Sequence, residues 1–144
     1  MGIRKGFVRA IGVTLAAGMA LLAGAGAASA APTGCASGYM CLWKDVAYET
    51  NGSSYNEAAF EFYHTNFRYW GAWTGVNYVN DKASSVYNNG RLATARLYVN
   101  SGFSGSSFSL VRGTGDSNIH DAIGTVPYPS FADELSSGCF SDWC

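Results

Sequence analysis

The hexapeptide Asn80-Asp81-Lys82-Ala83-Ser84-Ser85 is answered 52 residues later by Ala132-Asp133-Glu134-Leu135-Ser136-Ser137. Asp81 matches Asp133, Ser84 matches Ser136 and Ser85 matches Ser137 at that one offset, so the pair reads as a supersecondary unit used twice. Each copy gathers carboxylate and hydroxyl oxygens, and the first adds an amide, with no Cys or His among them. Such donors suit a hard cation, calcium above all, better than zinc or copper. The same residues would also make a plain polar turn leading into a serine-rich strand.

Elements that position these residues repeat with them. Leu42-Trp43 answers Leu97-Tyr98 and Tyr48 answers Phe103 at an offset of 55, while Gly52 and Tyr55 answer Gly105 and Phe108 at 53. Each unit is therefore a strand, an aromatic, a Gly-containing turn, a second strand and then the Asp/Ser motif. Tyr39–Trp43, Ala95–Val99, Ser85–Tyr87 and Ser107–Val111 are short, rich in strand formers and bounded by turn residues. Asn88-Asn89-Gly90 is a strong turn signal, because Asn and Gly tolerate positive φ. The one stretch that suggests helix is Ser54–Phe62, with a single turn through Glu57-Ala58-Ala59. Many short strands with Gly turns predict an all-β sandwich.

Residues 1–30 read as an address. Arg4, Lys5 and Arg9 precede the apolar stretch Ala10–Ala25, and Ala28-Ser29-Ala30 has the small-x-small form of a cleavage site, so cleavage is expected after Ala30. Residues 31–144 form one domain with a modest core. The leader holds three of the nine basic residues and none of the ten acidic ones, so the exported part is net acidic. That argues against a nucleic-acid partner, and no second apolar stretch predicts a membrane span.

All four cysteines lie in the exported part, as Cys35 with Cys41 and Cys139 with Cys144. Export makes disulfides the expectation. Three connectivities are open, of which the two local bridges are favoured. A loop that short removes only about 2 kcal/mol of unfolded-state entropy, so these bridges would shape loops more than hold the fold. Zinc ligation by the thiols is the alternative, and neither pair has the zinc-knuckle spacing.

Two units that each place an early strand aromatic, a later aromatic and Gly in a folded hairpin, and a closing Asn/Asp-Asn/Asp-x-x-Ser/Thr-Ser motif, resemble the two Greek keys of a βγ-crystallin domain. Asn80–Ser85 matches the motif throughout, and the second copy departs at Ala132. Cys35 and Cys41, close behind the leader and running into Leu42-Trp43-Lys44-Asp45, also resemble the secreted bacterial peptidase inhibitors of family I36, which share that fold. The resemblance implies a βγ-crystallin-like Greek-key β-sandwich, secreted and monomeric, that inhibits an extracellular protease, with metalloproteases the attested class. It also implies structural calcium held by Asn80, Asp81 and Ser84 in one site and by Asp133 and Ser136 in a weaker other. Few carboxylates per site imply affinities of about 10⁻⁵ to 10⁻³ M. A substrate-like inhibitor needs a rigid, extended loop. Cys139-Phe140-Ser141-Asp142-Trp143-Cys144 is the candidate, closed by a disulfide, with Phe140 as the apolar side chain presented. The other reading of that bridge is that it ties down a fraying end.

Two further readings stand beside this one: a calcium-binding crystallin module with a structural or stress role and no protease target, which shares the fold, and a carbohydrate-binding module. The second rests on Phe60, Phe62, Tyr63, Phe67, Tyr69, Trp70 and Trp73, which are either core or a binding surface. Enzymatic activity is not expected. His64 and His120 stand in no ligand spacing, and no Gly-x-Ser-x-Gly elbow is present. Asn51-Gly52-Ser53 has the form of a glycosylation sequon.

Overall fold

The computed structural model describes residues 30–50, 57–70, 78–91, 94–121, 123–126 and 131–144. The leader, the sequon at Asn51, the repeat positions Gly52 and Tyr55, and Trp73 lie outside them. Among the described residues no helix is long and apolar enough to cross a membrane.

The described residues form eight strands: β1 (Met40–Trp43), β2 (Glu57–Phe60), β3 (Tyr63–His64), β4 (Ser85–Asn88), β5 (Ala95–Asn100), β6 (Ser104–Leu110), β7 (Gly115–Asp116) and β8 (Ser137–Phe140). They form two four-stranded sheets in the orders β2-β1-β4-β7 and β3-β8-β5-β6, with every pairing antiparallel. Each repeat thus lends its third strand to the other sheet. β3, from the first unit, pairs with β8, and β7, from the second, pairs with β4.

Alternation on the strands builds the core. Met40, Leu42, Phe60, Val86, Leu97, Phe108 and Leu110 point between the sheets and are buried, together with Phe67, Ile119 and Leu135 from the connections. A satellite cluster of Cys35, Cys41, Trp43 and Tyr87 lies apart from that core, so the Cys35–Cys41 bridge is packed against aromatics. Both local disulfides are present.

Glu57-Ala58-Ala59 is a strand, which corrects the helical turn expected there. Register with β1 pairs Leu42 with Ala58 and Met40 with Phe60, and Ala58 and Phe60 are buried while Glu57 and Ala59 are half-buried. Ladder bonds and burial on one face override a local helix preference of a few tenths of a kcal/mol per residue. Asn89-Gly90 does not form the expected turn: neither residue takes a positive φ, and the pair lies in the connection that leaves one sheet for the other. The Asn88 side chain accepts from Gly90 N–H (2.8 Å) and donates to Leu110 C=O (2.8 Å), and a Cβ on Gly90 would overlap the Phe140 ring.

The final serine of each motif braces a folded hairpin. Ser85 Oγ donates to Asp45 C=O (2.8 Å) and accepts from Tyr48 N–H (3.2 Å). Ser137 Oγ donates to Asn100 C=O (2.6 Å) and accepts from Phe103 N–H (3.1 Å). The latched residues are strained, because Tyr48 and Phe103 sit at φ 58° and 57°, where bulky side chains are rare. Ser137→Ala removes both bonds of one latch and should lower the unfolding free energy by about 1–3 kcal/mol. Urea denaturation measures it, with the exposed Ser107→Ala as a control that stays within about 0.5 kcal/mol.

Candidate functional site

Backbone geometry explains the aspartates of the motif before any ligand is invoked. Asp81 and Asp133 both sit at φ 55°, in the left-handed region that Asp and Asn enter more readily than other side chains. Their N–H groups reach across the pseudo-symmetric halves, Asp81 to Leu135 C=O (3.1 Å) and Asp133 to Ala83 C=O (3.2 Å). Each motif therefore hydrogen-bonds to the other.

That crossing changes the grouping of the oxygens. Asp81 Oδ1 accepts from Ser136 Oγ at 3.2 Å, and the Asn80 amide donates to Asp81 Oδ2. Whereas Ser84, expected to act with Asn80 and Asp81, bonds elsewhere, Asn80, Asp81 and Ser136 form one hydrogen-bonded cluster drawn from both units. Beside it opens a polar cavity of about 470 Å³ lined by Asn66, Arg68, Asn80, Asn100, Ser101 and Ser136. The cluster offers a hard cation one carboxylate, one amide and one hydroxyl oxygen, while Arg68, lining the same cavity, brings a positive charge beside it.

The other motif does not present such a set. Ser84 Oγ is bonded to His120 Nε2 at 2.9 Å, and Ala132, at the position of Asn80, packs against the core. Asp133 is exposed. Among the described residues no three His, Cys, Asp or Glu side chains converge to hold a metal. Arg68 and His120, also 52 residues apart, are the site neighbours that sequence reasoning missed. Their offset equals that of the motif, and that was the signal available.

The C-terminal loop also differs from expectation. Cys139 is fully buried and Phe140 is 5% exposed, with its ring 5.9 Å from that of Phe60. Ser141–Trp143 form a 3₁₀ turn. Phe140 is a core residue and is not presented to a partner, and the segment after it is wound and not extended. The cause is the pairing of β8 with β5, which sets Phe140 opposite Ala95 and turns it between the sheets. The Cys139–Cys144 bridge closes this turn against the end of β8.

The aromatic stretch divides. Phe60 and Phe67 are core, and Trp70 packs on it with His64 stacked against its indole (4.4 Å between centroids, 14° between planes). Burial there lowers the His64 pKa. Phe62, Tyr63 and Tyr69 are exposed. Phe62 and Trp143, with Arg91, Glu61 and Asp142, line an open cleft of about 280 Å³. The two rings are 5.1 Å apart but inclined at 58°, a wedge and not the flat face on which a sugar ring stacks.

The model of peptidase inhibitor family I36 matches residues 28–110. The chain belongs to that family. The I36 family is one of inhibitors and not of enzymes, and its members act on a protease partner. A βγ-crystallin from Ciona intestinalis is similar to this I36 chain with a TM-score of 0.52 at 23% identity, over 72% of this chain and 100% of that one. A second structure, described under the evolution of the eye lens βγ-crystallin domain fold, reaches 0.54 at 20% identity over 74% and 88%. These two likenesses show that the two antiparallel sheets make a βγ-crystallin fold. No curated protein matches the chain.

Replacing a core residue and replacing an inhibitory residue have different consequences. Phe140→Ala should destabilise the protein by about 3–5 kcal/mol, read from thermal or urea unfolding. A variant with unchanged stability would return Phe140 to the surface.

Proposed function

We propose that the protein is a secreted inhibitor of an extracellular protease, with thermolysin-like metalloproteases as the target class, on a fold that calcium stabilises. Family membership carries the inhibitor reading. The export leader read in residues 1–30 and two disulfides support secretion. Inhibitors of this kind bind through a surface already ordered before contact, so little freedom is lost on binding. A sandwich whose hairpins are latched by buried serines supplies such a frame.

Inhibition of a thermolysin-like metalloprotease and a subtilisin-like serine protease, assayed with calcium present, tests the reading. We expect tight inhibition of the first and weak or no inhibition of the second. The reverse order would retain the inhibitor and replace its target class. No inhibition of either would favour the second reading, a calcium-binding crystallin module.

Convergence of Asp81, Asn80 and Ser136 supports the calcium part of the proposal. Calcium there would be structural, and at about 100 times its dissociation constant it would add roughly 2.7 kcal/mol if only the folded state binds. Asp81→Asn keeps the left-handed backbone residue type and the hydrogen-bonding shape but removes the charge. Its melting temperature should no longer rise with calcium, whereas Asp133→Asn should respond as the wild type does. Equal responses from all three proteins would remove Asp81 from the site.

A further inference from the structure

Ile123 is 89% exposed, the most exposed large hydrophobic side chain among the described residues. A lone exposed apolar residue is ordinary, and what sets this one apart is how its neighbours are held. On one side Ile119 is fully buried, and on the other Val126 is 3% exposed, so the chain leaves the core and returns to it within a few residues. The buried Asp116 carboxylate clamps both limbs. Its Oδ1 accepts from Asn118 N–H (3.0 Å) and its Oδ2 from Val126 N–H (2.9 Å).

Further bonds fill in the turn. Asp121 accepts from Ile123 N–H (3.0 Å) and from the Asn118 amide (2.8 Å), Asn118 Oδ1 accepts from His120 N–H (3.2 Å), and Thr125 Oγ1 donates to Gly115 C=O (3.0 Å). Gly124 lies so close to Asp116 that a Cβ there would overlap the carboxylate. His120 is tied in turn to Ser84 of the first unit. The result is an apolar side chain, Ile123, held out in solvent among polar neighbours whose side chains bond back to the turn or to the strand before it.

We propose that Ile123 enters the protease's active-site cleft and fills an apolar specificity pocket there, with the chain held on either side of it by the bonds to Asp116 and Asp121. The proposal rests on the inhibitor reading and deepens it. The partner it fits is an endopeptidase that takes a branched aliphatic side chain beside the scissile bond. The inward bonds to Asp116 and Asp121 leave little backbone freedom to lose on docking. Among the other exposed apolar groups, the Phe62 and Trp143 rings lean on each other and Tyr69 borders a polar cavity.

Inhibition constants of wild type, Ile123→Asp, Ile123→Leu and Val111→Asp against a thermolysin-like metalloprotease and a subtilisin-like protease test this. Val111 is an exposed apolar residue elsewhere, at 57%, and serves as the control. We expect Ile123→Asp to weaken inhibition by about 30-fold or more, as at a central anchor, with Ile123→Leu and Val111→Asp close to wild type. Equal inhibition by wild type and Ile123→Asp would overturn the assignment of the turn and leave the inhibitor reading standing. Equal weakening by Ile123→Asp and Val111→Asp would also overturn it. Absence of inhibition by the wild type would overturn both.

Discussion

The structure depends on hydrogen bonds that cross between its two halves. Each half lends a short strand to the other sheet, and strands of two residues, β3 and β7, add too few ladder bonds to hold themselves there. The exchange persists because the segments around those strands are tied across. Ala47 N–H reaches Ser117 C=O and Gly102 N–H reaches Thr65 C=O, while Phe67 N–H and Ile119 N–H reach Ser136 and Ser84 C=O. These bonds come in pairs related by the repeat. Since buried backbone groups are costly to leave unpaired, neither unit can satisfy its own hairpin without the other.

From this follows the division of labour inside the motif. Its aspartate first supplies a left-handed backbone position and a cross-unit N–H, its last serine latches a strained hairpin, and its fifth residue carries a hydroxyl at the seam. Only the surplus oxygens remain for a cation. A site built from such surplus spans the seam, so calcium bound there would tie one half to the other.

Much of this was legible in the sequence, and the parts that were not share a cause. β1, β4, β5 and β6 were readable because strand formers and turn residues mark them locally, and the two-sheet fold followed from the repeat. Local disulfides were readable from spacing. The grouping of Asp81 with Ser136 was not, because the residues are 55 apart and their contact exists only once the units interlock. Phe140 looked presentable because an aromatic between cysteines near a chain end has no local sign of burial, and only its register opposite Ala95 puts it in the core. Likewise Glu57-Ala58-Ala59 carries a helical preference that its pairing overrules. The turn at Ile123 gave no signal at all, since a single isoleucine among polar residues matches no motif, and its rigidity comes from Asp116 on a strand that belongs to the other sheet.

Duplication explains why one copy could drift while the fold stayed intact. The backbone role of Asp81 and Asp133 and the latch of Ser85 and Ser137 are needed in both units, and both copies keep them. The first position of the motif is not needed for folding, and there the copies part, Asn80 keeping an amide at the seam while Ala132 adds to the core. The same holds for Arg68 and His120, equivalent by the repeat yet differently engaged, one lining the polar cavity and the other bonded to Ser84. By occupying the Ser84 hydroxyl, His120 withdraws it from any cation and anchors the turn that carries Ile123 to the first unit. In that half of the molecule the motif's hydroxyl is engaged by a side chain of the other unit, and that contact connects the duplicated framework to the turn that carries Ile123.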